Sequence, residues 1–306
     1  MKRVLSLIIV LIGFQHLNAQ YTEIINSKRP GFSESPYGVG THVYQFEAGL
    51  FYKNNNNESI LAYPNTFGGE LFFRANPFTS MGRLELNLNI AYQTDEVKNP
   101  FGDNYNISGI SNLHFGAKYL IYQQEYTDKS KEIRSWKKRT SFDTKRLIPS
   151  VGLYFGINSN FIGKDYKPES TSFKSAVLLQ NDFTDRLVVL TNLIVDDIAS
   201  ESLEYAYIIT MTYAISQYWS FFIENVGKYE KSLSPEYQLG TGIAYLISPD
   251  LQVDASIRTN LFENYSHIFA STGVSWRFDR HQDALMPAES SKNNKKGFFS
   301  RTFSKN

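Results

Sequence analysis

The stretch Arg83–Thr94, RLELNLNIAYQT, constrains the fold more than any other part of the chain. Leu84, Leu86, Leu88, Ile90 and Tyr92 share one parity; Glu85, Asn87, Asn89 and Gln93 share the other, with the small Ala91 among them. A strand sends successive side chains to opposite faces, so this pattern sets one face in apolar surroundings and the other in water. Weaker copies recur to residue 278. They predict strands near 41–53, 68–75, 83–94, 109–123, 147–158, 173–183, 186–196, 203–214, 218–229, 237–246, 251–259 and 267–278. The sixth and seventh are apolar on both parities, which leaves their facing open.

Twelve is an even number, and longer loops alternate with shorter turns, as in antiparallel outer-membrane barrels. The expected fold is all-β: a transmembrane barrel over residues 41–278 with short periplasmic turns and longer extracellular loops. A soluble barrel would show the same period with its apolar face inward. Two features favour lipid. About twelve strands enclose more room than apolar side chains easily fill. Aromatics also collect near strand ends on the apolar face: Tyr44, Tyr52, Tyr92, Tyr213, Trp219, Tyr237, Tyr245, Trp276 and Phe278, where rings suit the two bilayer interfaces.

The flanks fit an exported protein. Lys2 and Arg3, the apolar run Val4 to Phe14 and the small Ala19 form a signal peptide over 1–19, the run being too short to span about 30 Å of hydrocarbon. Residues 20–40, punctuated by Arg29-Pro30-Gly31 and Ser35-Pro36-Tyr37-Gly38, are too polar for a core element and are expected at one mouth of the barrel or partly inside it. Residues 124–146 form a basic insertion, expected to be solvated, and 279–306 a polar basic tail. Lys+Arg at 31 and Asp+Glu at 30 nearly cancel, so no overall field draws the chain to nucleic acid. Cysteine is absent, which excludes a disulfide framework and a thiolate metal site. Histidine spacing suggests no metal, and the glycines form no phosphate loop, so no cofactor is expected.

The inner parity carries Glu47, Glu70, Arg74, Glu85, His114, Lys118, Glu224, Asp254, Arg258 and Arg277. Charges are tolerable in a wet lumen and costly against lipid. They make either a selectivity lining or solute site, or an ion-pair network that holds a narrow barrel together. Val188, Leu190, Ile194, Ile208, Phe222 and Phe269 fall on the same parity, either as a greasy stripe for a solute or through a one-residue slip of register. His114 with Ser111 or Ser150 is the one arrangement suggestive of hydrolysis, and no Gly-x-Ser-x-Gly motif accompanies it.

Lys28-Arg29-Pro30-Gly31-Phe32-Ser33-Glu34-Ser35-Pro36, followed by Tyr44-Gln45-Phe46-Glu47-Ala48-Gly49, resembles the opening of the family named for the MetA pathway of phenol degradation. The likeness continues at Gly109-Ile110-Ser111-Asn112-Leu113, Gly116-Ala117-Lys118-Tyr119, Gln252-Val253-Asp254 and Gly273-Val274-Ser275-Trp276-Arg277-Phe278. The basic insertion and the tail past Phe278 depart from it. The resemblance implies an outer-membrane barrel, a non-enzymatic transporter or channel for small hydrophobic or aromatic solutes, with outer-membrane lipid as its surroundings and no catalytic residues. A barrel with a closed lumen that binds another envelope component is the alternative, and an outer-membrane hydrolase the third.

Overall fold

The computed structural model describes residues 24–55, 65–78, 82–98, 102–125, 142–168, 170–231, 234–261 and 267–280. Twelve strands form one closed antiparallel barrel: β1 (Val43–Asn55), β2 (Asn65–Ala75), β3 (Leu84–Val97), β4 (Tyr105–Tyr122), β5 (Ser150–Asn158), β6 (Ser172–Asp182), β7 (Leu187–Ile198), β8 (Glu204–Ala214), β9 (Trp219–Glu230), β10 (Glu236–Ser248), β11 (Leu251–Leu261) and β12 (His267–Asp279). Each strand pairs with its neighbours in sequence. β1 pairs with β12 from Val43↔Asp279 to Asn55↔His267, which closes the cylinder. Closure leaves no row of unpaired backbone groups, the condition for sheet to sit in hydrocarbon. We call the end where the chain enters β1 the near end and the opposite one the far end. The near-end connections 183–186, 215–218 and 249–250 are short, while 76–83 is longer and 123–149 holds the basic insertion.

The alternation of β3 sets the facing. Tyr92 is 54% exposed on the outer surface, while Glu85 at 0% and Asn87 at 5% are enclosed. The same inversion runs round the barrel: Leu50, Leu71, Phe115, Phe155, Ile209 and Ile257 are exposed, and Arg74, Lys118, Glu47 and Glu224 are buried. An apolar band on every strand exceeds anything a soluble monomer leaves to water. It makes this a barrel of the outer-membrane type. Aromatics edge the band, with Trp219 against Tyr245 (centroids 4.6 Å apart) and Phe46 against Phe73 (4.9 Å) toward the near end. Leu88 sits mid-strand on this face, so Leu88→Arg is expected to cost about 2–4 kcal/mol in unfolding from lipid vesicles. An unchanged unfolding free energy would place this face away from hydrocarbon.

β6 and β7 settle the facing that their composition leaves open. Ala176 and Leu178 point inward, joined by Tyr154 from β5 and Ile194 from β7, while Leu193 is exposed outside. The expected signal peptide 1–19, residues 281–306 of the tail and 126–141 of the basic insertion lie outside the described residues. Of that insertion's described part, Thr144–Leu147 form a single 3-10 turn, capped by the Asp143 carboxylate, which accepts from the Lys145 N–H. No helix among the described residues is long and apolar enough to cross a membrane, which says nothing of a barrel.

Candidate functional site

Residues 24–40 form no strand, so each of their backbone N–H groups needs a partner elsewhere. Many of them find partners on the inner wall of the barrel. The segment enters at the near end, where Ile25 N–H donates to the Pro249 carbonyl (2.8 Å) on the β10–β11 turn. It climbs past mid-height to Phe32, whose ring meets Phe269 edge-on at 5.4 Å, and descends through Glu34 to Tyr37, whose hydroxyl bonds Ser150 at 2.6 Å. Inward carboxylates take the place of a sheet ladder. Glu47 accepts from the N–H groups of Lys28 and Arg29 at 3.2 Å. Glu224 accepts from Phe32 (2.9 Å) and Ser33 (3.1 Å), and Glu85 from Val39 (2.8 Å). Asn192 accepts from Glu34 N–H (2.6 Å) and donates to its carbonyl (2.8 Å). Bonds from ionised carboxylates to backbone amides are among the stronger ones available.

Cations on the wall balance these acids. Arg74 donates to both Glu85 oxygens (2.8 and 2.9 Å), to Glu47 (3.2 Å) and to the Asn26 carbonyl. Lys118 pairs with Glu34 (3.1 Å) and Glu85 (3.2 Å). Arg258 donates to Glu224 at 2.7 Å and sets its Cζ over the Phe32 ring, 3.3 Å from the centroid. Glu70 and Asp254 both hold Arg29 of the segment. Nine of the ten sequence-selected residues therefore surround the segment or the space above it. Arg277 stands apart, bound to Asp250 at the near-end turn (2.7 Å). His114 bonds Asn158 and Tyr154 through its two ring nitrogens. The pairing with Ser111 or Ser150 considered from the sequence does not form: Ser111 donates to the Ala91 carbonyl, and Ser150 bonds Tyr37 and Gln124 N–H.

Above the segment lies a cavity of about 540 Å³. Lys28, Phe32 and Glu34 form its floor. One side is apolar, with Ala176, Leu178, Ile194, Ile208 and Val226; another is polar, with His114, Tyr154 and Asn158. Near its rim Lys174 pairs with Asp196. Ile194, Ile208 and Phe269 of the predicted stripe do point inward, as does Phe222, while Phe72 and Val226 add to the apolar lining. Sequence reasoning missed the segment's own Lys28, Arg29, Phe32 and Glu34, and the wall residues Asn192, Thr210 and Gln180 that bond it or its carboxylate partners. One signal was available: the five inward acids Glu47, Glu70, Glu85, Glu224 and Asp254 outnumber Arg74, Lys118 and Arg258, and the segment, with Lys28 and Arg29 against Glu34, brings a net positive charge to them.

Glu34 lies outside the strands. Burial alone would raise its pKa, but Lys118, Lys28 and Arg74 together hold it at about 2. A carboxylate depressed in the folded state stabilises that state above its ordinary pKa of 4.5 and ceases to do so as pH falls through the lowered value. Residues 24–40 are therefore expected to loosen between about pH 4.5 and 2, read as rising protease sensitivity of the segment; in Glu34→Gln that step is absent and sensitivity is already raised at pH 7.

Comparisons place the fold among solved outer-membrane barrels. The COG4313 outer membrane channel from Pseudomonas putida F1 superposes with a TM-score of 0.53 at 9% identity, over 83% of this chain and 100% of that one. The KdgM porin in complex with disordered oligogalacturonate gives a TM-score of 0.50 at 9% identity, over 77% of this chain and 99% of that one. No curated protein matches the chain. The model of the family described as "Putative MetA-pathway of phenol degradation" matches residues 27–278, from the lumenal segment through β12, and the chain belongs to that family.

Proposed function

We propose that this protein is an outer-membrane channel for small hydrophobic or aromatic solutes, with residues 24–40 as a plug held in the lumen at rest. Its far end faces the outside of the cell and its near end the periplasm, so the cavity above Phe32 is a vestibule for incoming solute. The carrying observation is that vestibule's two-sided chemistry. Ile194, Ile208 and Val226 suit the body of a ring, while His114, Tyr154 and Asn158, bonded to one another, present a polar wall where a substituent such as a hydroxyl can exchange into one of those bonds. The family's description, which names phenol degradation, supports the same solute class. The inward ion pairs then serve to hold the plug and to set which solutes pass it. Residues 1–19 direct export, and the basic insertion and the tail belong to the periplasmic side.

The density of bonds on residues 26–39 favours one second reading, a permanently closed barrel that binds another envelope component. Uptake into proteoliposomes separates the two. A channel admits phenol or toluene faster than a sugar of similar size, and Ile208→Asp slows the aromatic solute selectively. A closed barrel admits neither, and no uptake of any aromatic solute by folded protein would overturn the proposal.

A further inference from the structure

Arg29 is held in an unusual way. Its guanidinium lies against the inner wall where Gly49 of β1 faces Gly273 of β12 across the ladder. A Cβ built on Gly49 would overlap the guanidinium itself, and one on Gly273 would overlap its Nε and the Ala48 carbonyl. The two glycines thus open a slot the thickness of a planar group. Carboxylates from two other strands flank it: Arg29 Nη1 pairs with Glu70, and Nη2 donates to Asp254 Oδ1 (3.2 Å) and to Ser271 Oγ (3.5 Å). The Asp254 side chain is fully buried, and its second oxygen, Oδ2, finds no partner among the described residues. Every wall component of this arrangement comes from the barrel, and only the occupant comes from the segment.

We propose that the barrel wall carries a guanidinium-binding socket, formed by Gly49, Gly273, Glu70, Asp254 and Ser271, that Arg29 fills as an internal ligand and that an external guanidinium compound fills when Arg29 is absent. A flat fork of donors between two carboxylates is matched by guanidinium and not by a compact ammonium. The socket makes the latch on the segment exchangeable: a solute bearing this group competes for the site that fixes the segment to the wall. A binding readout decides the matter whether or not the barrel transports anything.

The test uses the full mature chain folded in detergent, with methylguanidinium as the probe at concentrations too low to denature. In Arg29→Ala the thermal unfolding midpoint should rise saturably with methylguanidinium and not with methylammonium or sodium. Wild type, its socket already filled, should show no such rise. Adding Asp254→Asn to Arg29→Ala should weaken half-saturation by about tenfold or more, the loss expected for a charge-assisted bond. Gly49→Ala should lower the wild-type midpoint without creating a methylguanidinium response, since the slot is then blocked. If Arg29→Ala fails to fold, its refolding yield with and without methylguanidinium is the readout, and recovery by the probe supports the socket. An equal response in wild type and Arg29→Ala, or neither a shift nor a recovery in the variant, overturns it.

Discussion

Arg74→Met is expected to destabilise the barrel by about 3–5 kcal/mol, the usual cost of removing one partner from a buried ion pair. Arg74 is 1% exposed and serves Glu85 through two parallel bonds and Glu47 through a third. Methionine fills similar space but leaves Glu47 and Glu85 enclosed, with Lys118 still paired to Glu85 alone of the two. The uncompensated acid, rather than the lost attraction, carries most of the penalty, so Glu85→Gln in the same chain should recover part of it. Arg277→Met is the contrast. Its guanidinium is enclosed too, but the carboxylates it would leave behind, Asp250 (44% exposed) and Asp279 (20%), both reach water at the near end, so a loss of no more than about 1 kcal/mol is expected. Urea unfolding in detergent measures all three. An Arg74→Met cost as small as that of Arg277→Met would mean that water reaches this cluster freely.

Deleting residues 24–40 is expected to turn rare openings in planar bilayers into sustained conductance, and to make that conductance prefer cations. The wall around the segment carries five acids, Glu47, Glu70, Glu85, Glu224 and Asp254, and three bases, Arg74, Lys118 and Arg258, a net of −2. Lys28, Arg29 and Glu34 leave with the deletion and take away a net +1. Charge of one sign in a narrow lumen with low-dielectric walls concentrates counter-ions, so a potassium preference of roughly tenfold is expected at low salt. It should fade as the salt rises and the Debye length falls toward about 3 Å at 1 M. An anion preference, or none at low salt, would contradict this charge balance.

Much of the barrel is legible in residue order because lipid outside and polar groups inside impose a period of two on most strands. Arg83–Thr94 shows it with hardly an exception, and the observed β3, Leu84–Val97, carries that row on the outside. Where the pattern fails, the lumen is the reason. In β6 and β7, Ala176, Leu178 and Ile194 form the vestibule's greasy side, so apolar residues occupy both faces and the alternation disappears. Residues 24–40 are opaque for another cause. Their partners lie far along the chain, as with Phe32 and Glu224 or Glu34 and Asn192, and nothing local announces which carboxylate will take which amide. Gly49 and Gly273 illustrate the same limit. Each is an ordinary small strand residue until closure of β1 on β12 sets them side by side beneath Arg29.

Transport as proposed requires residues 24–40 to move aside for the solute, and a reversible lock tests that most directly. Ser27 and Ser275 place their Oγ atoms 2.7 Å apart, one on the segment and one on β12, so cysteines there would bring their thiols together, and the chain has no cysteine of its own to interfere. Ser27→Cys with Ser275→Cys, oxidised in proteoliposomes, should abolish uptake of an aromatic solute, and a reductant should restore it to the rate of the unlocked protein. Unchanged uptake through the oxidised, fully cross-linked barrel would show that solute passes without displacing the segment.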